Sequence, residues 1–417
     1  MRAQRLFAVF VAICLGIAAW TPVSFAADDT IKIAYLDPFS GPFAATGNNF
    51  LKVFNYILDT LNAQDAHPLG KKYEIVTFDS KLQPAEALIA LKTITDQNIP
   101  FVMQCVGSNV GSALIEAVSK NNARNPDNRL LYLNCGALAT ELTNEQCDFW
   151  HFRFTANVDQ RAVARIRSLP QSVKSVYLIN QDYLFGQSVQ KATLKYLAQY
   201  RPDIKVVGDE LVPFGKVQDF SPYIAKVKAS GAQALITSNY DRDLNLLMKA
   251  GNDAGLDVQY HAYLAGNPGG PTSAGPAADG RLTSIMEFND NVPSDEHNEA
   301  AEKFVEGFRA RADFNFIPLD YVTMFQMLTA AINKAGSTDA LKVALALENA
   351  KATDMMGDEN IMRAEDHQLM SPLHEAIFTK DVKFDAEKTG LGWKNLAKLS
   401  AADLTLPTTC KMKRPAQ

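Results

Sequence analysis

Histidine and cysteine are scarce in this chain of 417 residues, with six of the first and five of the second. The histidines (His67, His151, His261, His297, His367 and His374) form no HExxH pair. The seven-residue gap between the last two fits no recognised ligand spacing. With no CxxC beside them, no metal site is expected. No GxSxG elbow, P-loop or strand-borne GxGxxG is present, which removes the usual motif-carried hydrolase and nucleotide chemistries and leaves no cofactor to expect. Scattered Asp and Glu leave a glycosidase-like dyad as the one enzymatic alternative, a secreted hydrolase. Basic excess is also missing. The 41 Lys and Arg face 46 Asp and Glu, a net of −5, which gives no footprint for nucleic acid and little attraction to anionic lipid.

Long apolar runs are missing too, apart from Leu6 to Trp20. That run is too short to span a bilayer. Arg2 and Arg5 precede it and Ser24-Phe25-Ala26 follows it, the pattern of a cleaved secretory signal peptide over residues 1–26. Cys14 lies inside the run, and Val11-Ala12-Ile13 before it does not read as a lipoprotein signal. Cleavage leaves 39 basic against 46 acidic residues, a net of −7. About 390 mature residues exceed one ordinary core, so two domains are expected.

The four remaining cysteines allow three full pairings in an oxidising compartment. One or two bridges are permitted, and Cys105 and Cys135 end predicted buried strands, where a free thiol would act as a small hydrophobe. Cys147 and Cys410 lie in polar segments and form the preferred bridge.

What is present is a regular alternation. Ile31–Leu36, Tyr73–Phe78, Phe101–Cys105 and Leu130–Leu133 read as strands. Between them, Phe50–Leu61, Pro84–Ile94 and a segment from Ser108 to Asn121 read as helices, with Ser108 as a cap. This βαβα rhythm implies an α/β fold with a parallel sheet covered on both faces. It breaks over 136–157 and restarts with strands at Ser175–Ile179, Val206–Val212, Ala234–Thr237 and Val258–Tyr263, separated by helices. A second α/β lobe is therefore expected. A Gly/Pro-rich loop over 266–280 and two helices, Asp295–Ala312 and Pro318–Lys334, follow.

Ligands in such sheets bind beyond the carboxyl ends of the strands. In the first lobe that rule selects Ser40, then Gly107, Ser108 and Asn109, then Gly136, Ala137 and Leu138. These small-residue turns offer backbone N–H groups to a carboxylate. In the second lobe it selects Asp182, Tyr183, Phe185, Tyr240 and Tyr263, whose rings suit an apolar body.

At these loops the chain resembles the periplasmic leucine/isoleucine/valine-binding proteins, type I solute-binding components of ABC importers. The resemblance rests on Ile31-Lys32-Ile33-Ala34 with Ser40-Gly41-Pro42, Gly107-Ser108-Asn109, Glu141-Leu142-Thr143, Asn180-Gln181-Asp182-Tyr183 with Phe185-Gly186, Asp219-Phe220-Ser221 and Ala254-Gly255-Leu256. A Cys-x-Phe-Trp-His-Phe-Arg stretch, Cys147 to Arg153, is similar to one subgroup. The resemblance implies two doubly wound lobes joined by a three-stranded hinge, lobe 1 being 28–155 plus 285–337 and lobe 2 being 156–284 plus 338–417. It also implies capture of a small carboxylate-bearing solute by hinge closure, an inner-membrane ABC permease as partner, a monomer, and no catalysis. A periplasmic sensor presenting solute to a receptor shares the same clamp. The family's carboxylate-binding serine falls at Gly107 or Ser108, its second loop at Gly136 and Leu138, and its aromatic walls at Phe185 and Tyr240. The acid that holds a ligand ammonium in amino-acid binders is missing from Tyr263-Leu264-Ala265, and a helping threonine is replaced by Leu138. A buried ammonium without a counter-charge is costly. The resemblance therefore requires Asp182 or Asp241 to supply the charge, or a ligand such as an aromatic or aliphatic carboxylate.

Overall fold

The computed structural model describes residues 30–64 and 67–415. The expected leader lies outside the described residues. Five strands, β1 (Thr30–Asp37), β2 (Lys72–Asp79), β3 (Phe101–Gln104), β4 (Leu131–Asn134) and β5 (His151–Arg153), form a parallel sheet of order β2-β1-β3-β4-β5. Their crossovers are α1 (Ala44–Ala63), α2 (Pro84–Asp96) and α3 (Ser108–Arg124). The inner strands β3 and β4 are buried along their whole length, as parallel strands covered on both faces must be. The edge strand β2 keeps exposed positions.

The second unit starts with α4 (Val158–Ser168). Asn157 and Gln160 close a reciprocal capping box at its N-terminus, satisfying two otherwise orphaned amides. Strands β6 (Ser175–Gln181), β7 (Lys205–Val212), β8 (Ala234–Thr237), β9 (Gln259–Ala262) and β10 (Leu282–Met286) follow, with α5 (Leu184–Tyr200), α6 (Ser221–Ser230) and α7 (Asp241–Asp253) between them. After β9 comes a short α8 (Gly270–Ala274) inside the segment expected to be loop. After β10 come α9 (Val292–Asp295), α10 (Glu299–Arg309), α11 (Leu319–Ala335) and α12 (Ala340–Leu347). A small antiparallel sheet of β11 (Lys351–Thr353), β12 (Glu359–Met362) and β13 (Leu369–Met370) leads to β14 (Leu373–Thr379) and β15 (Gly392–Leu399). The second large sheet has order β15-β14-β10-β9-β8-β6-β7, with β14 antiparallel to both neighbours.

One apolar cluster surrounds the first sheet and takes in Val305 and Phe308 of α10 and Phe325 and Leu328 of α11. It also takes in Val343, Ala344 and Leu347 of α12, a segment the sequence reading assigned to lobe 2. Two further clusters cover the second sheet. The chain passes between the two bodies at 154–157, 287–291 and 371–372.

Two disulfides close the cysteine account. Cys147–Cys410 is bridged with its Cα atoms 5.7 Å apart, as preferred from sequence. Cys105 and Cys135 are not free thiols but the second bridge, with Cα atoms 4.5 Å apart. The reason is register. β3 and β4 pair with Gln104 opposite Asn134, so the next residue on each strand is also opposite, at the spacing of neighbouring strands.

Candidate ligand-binding site

Both large sheets reverse their strand order beside their first strand, at β1/β3 and at β6/β8, and such switch points open a crevice at the carboxyl ends. The two crevices face one another across a cavity of about 80 Å³, room for roughly five to eight waters.

On the first side stand Cys105, Val106, Gly107, Ser108, Cys135, Gly136 and Leu138. Gly107 takes φ of 94°, and a Cβ there would meet the Leu82 side chain at 2.5 Å, so the turn into α3 requires glycine. Ser108 is the first helical residue rather than the cap. The preceding position belongs to Gly107, and no side-chain cap bond forms. The Ser108 hydroxyl instead accepts the Ala139 amide at 3.2 Å, tying the two loops together. The amides of Ser108 and Leu138 have no partner among the described residues, so the start of α3 and the 136–139 loop present open donors where the helix dipole favours an anion. Asp37, buried at the end of β1, accepts the amides of Cys105 and Val106 at 3.2 and 2.9 Å. Burial raises its pKa to about 7.

On the second side stand Tyr183, Phe185, Tyr240, Leu264, Asn267 and Pro268. Tyr183 stacks on Phe214 with centroids 4.2 Å apart, and its hydroxyl donates to that of Tyr240 at 3.2 Å. The Tyr240 proton is thereby left for another acceptor. Desolvation raises the pKa of both phenols, keeping them neutral donors.

The floor of the cavity comes from two crossing segments and the start of α4. Thr155, Arg161 and Glu287 line it, and α1 adds Thr46, Phe50 and Val53, while Phe314, Asn315, Ile317, Pro318 and Tyr321 complete the wall. The Arg161 guanidinium pairs with Glu287 and also donates to the carbonyls of Ala156 and Ile285 at 3.2 and 3.1 Å. Thr155 donates to the same Glu287 Oε1 at 2.7 Å. Oε2 of Glu287 has no partner among the described residues.

Five expected site residues do not line the cavity. Ser40 is exposed and donates to Asp79. Asn109 accepts the Leu184 amide from the opposite side at 3.3 Å. Ala137 turns its carbonyl into the protein. Asp182 is exposed and accepts from Gln187 at 2.9 Å. Tyr263 lies fully buried beneath the sheet, its hydroxyl 3.0 Å from that of Thr193. Asp241 accepts from Thr46 across the gap at 2.7 Å, and burial raises its pKa to about 6. Glu287, the acid that does line the cavity, was missed because β10 was not recognised. It stands one residue beyond that strand, where the strand-end rule would have found it.

Contacts also join the two sides outside the cavity. The Thr140 amide donates to the Ser188 hydroxyl at 3.1 Å, and Phe43 from the first side stacks on Phe214 at 5.1 Å.

A family model described as a periplasmic binding protein matches residues 30–379. Leu/Ile/Val-binding protein homolog 4 of Brucella abortus (strain 2308) is 31% identical over 405 residues, covering 94% of this chain and 94% of that protein. The closed conformation of a leucine-, isoleucine-, valine-, threonine- and alanine-binding protein from Brucella ovis superposes with a TM-score of 0.81 at 29% identity, covering 93% of this chain and 100% of that one. A solute binding protein of an ABC transporter from Rhodopseudomonas palustris BisB5, in complex with 3,4-dihydroxy benzoic acid, shares the fold with a TM-score of 0.76 at 16% identity, covering 90% and 98% of the two chains.

Proposed function

The chain belongs to the periplasmic binding protein family, and from that premise we propose that it is the solute-binding component of an ABC importer, which closes its two lobes on a small apolar carboxylate and delivers it to a membrane permease. Solute binding without catalysis, in the periplasm, comes with the family.

The observation that carries the reading is the two-sided cavity. Open amides of Ser108 and Leu138 stand on one wall, and Tyr183, Phe185 and Tyr240 on the other. A ligand that satisfies both must bridge the lobes, and binding then shifts the population toward the closed form. An apolar α-amino acid is the first candidate. Relatives bearing leucine, isoleucine and valine in their names support it, and the open Oε2 of Glu287 supplies the acid missing from the strand end at 263–265. A carboxylate without an amino group is the second, favoured by the Arg161 partner that already neutralises Glu287.

A thermal-shift panel of leucine, isoleucine, valine, 4-methylpentanoate, benzoate and 4-hydroxybenzoate tests the proposal. A ligand present at 100 times its dissociation constant should stabilise the fold by about 2.7 kcal/mol. Stabilisation by leucine alone selects the amino-acid reading, and stabilisation by the acids lacking an amino group selects the other. A flat response to every carboxylate contradicts both.

A further inference from the structure

The Cys147–Arg153 stretch singled out in the sequence makes no contact with the cavity, yet it ends in a buried cation with an unusual set of partners. Arg153, at the end of β5, is fully buried. Its guanidinium has no carboxylate within ion-pair distance among the described residues. Instead Nε donates to Gln368 Oε1 at 2.6 Å, Nη1 donates to the carbonyls of Ala139 and Ala137 at 2.7 and 3.3 Å, and Nη2 donates to the Thr143 hydroxyl. Burying a cation among neutral acceptors is costly, and burial alone lowers its pKa, to about 9. A residue held at that cost calls for a use.

The use follows from peptide geometry. No peptide bond among the described residues is cis, and in a trans peptide the N–H points opposite to the preceding C=O. Arg153 and the Asn134 amide, the latter at 3.0 Å, draw the Ala137 carbonyl inward, which turns the Leu138 N–H outward to the cavity wall. By the same logic the Ala139 carbonyl, drawn inward by Arg153, turns the Thr140 N–H outward to Ser188 of the other lobe. The first loop is held the same way. Gln104 donates to the carbonyls of Val106 and Gly107, leaving their amide partners, Gly107 and Ser108, on the cavity side.

We propose that Arg153 is a positioning residue for anion recognition: by holding the Ala137 and Ala139 carbonyls, it aims the Leu138 amide at the ligand carboxylate and adds its charge behind that amide. This rests on the carboxylate reading given above. Its effect should fall on the acid group of the ligand and not on the body, because Arg153 touches neither Tyr183 nor Tyr240.

Calorimetry with two probe pairs, leucine with leucinamide and benzoate with benzamide, separates the claims. Wild-type protein prefers the acid member of the pair it binds. Arg153→Gln loses about tenfold in affinity for the acid, the size expected for one charge-assisted hydrogen bond, and keeps its affinity for the amide. Arg153→Lys, which retains charge and can reach one carbonyl, recovers part of the loss. Equal losses for acid and amide, or none, overturn the positioning role. A wild type that does not distinguish acid from amide overturns the carboxylate reading itself. Should Arg153→Gln fail to fold, the wild type still decides. The ¹⁵N and ¹H resonances of Leu138 shift on adding the acid and not the amide, and a Leu138 amide indifferent to the acid refutes the proposal.

Discussion

Glu287 shows how a single side chain separates the two ligand classes. One carboxylate oxygen is held by Arg161 and Thr155 while the other is open, so the residue can serve one further donor without leaving its ion pair. If that donor is an ammonium, Glu287→Gln weakens leucine by roughly 10- to 100-fold, the range for a hydrogen bond to a charged group. 4-Methylpentanoate, which is leucine without its amino group, is unaffected. Calorimetry with both checks this, and parallel losses would show that the substitution acts through the Arg161 pair alone. At this scale the sequence was only half legible. Gly107, Ser108, Gly136, Leu138, Tyr183, Phe185 and Tyr240 follow recognisable strands and were found on the cavity wall. Glu287 was not found because β10 was missed, and Thr155 and Arg161 were not found because they stand on a crossing segment and at the start of α4, whose place in space depends on how the lobes are joined.

Elements were more legible than residues, since apolar periodicity is a local property. β1, β2, α2 and β8 stand within a few residues of their expected bounds. β5, β10 and the antiparallel β14–β15 pair were missed. β5 has three residues, too few to show a period, and it breaks the alternation that marked the others. The Cys105–Cys135 bridge was unreadable for a related reason. Both cysteines were placed at strand ends, but their contact requires β3 and β4 to be neighbours in register. This bridge joins the two loops that carry the open amides. Replacing both cysteines by alanine removes a cross-link spanning 30 residues, worth about 3.5 kcal/mol in the chain-entropy model, and loosens the amide pair, so stability and ligand affinity fall together. Replacing Cys147 and Cys410, which fasten the C-terminal tail and do not line the cavity, lowers stability and leaves affinity as it was. Denaturant unfolding and calorimetry on the two double variants check this. Unchanged affinity in the first would mean that the bridge does not set the loops.

The whole molecule is two bodies joined by three crossings, and every argument about ligand depends on their facing one another. Contacts from both sides meet at Thr46–Asp241, Asn109–Leu184 and Thr140–Ser188. The C-terminal tail adds a further tie. Leaving β15 in the second sheet, it returns to the first body through Thr408 and Thr409, which donate to Asn144, and through the Cys147 bridge. Sequence pattern could suggest two α/β bodies, but apolar periodicity is silent on which body a tail ends on, and only the preferred Cys147–Cys410 bridge pointed to this return. The most direct test is a crystal structure of the protein with leucine, or with whichever panel carboxylate stabilises it. The predicted result is one molecule between the sheets, its carboxylate about 3 Å from the amide nitrogens of Ser108 and Leu138 and its apolar body against Tyr183, Phe185 and Tyr240. A ligand held by one lobe alone, or with its carboxylate turned toward the aromatic wall, would contradict the account.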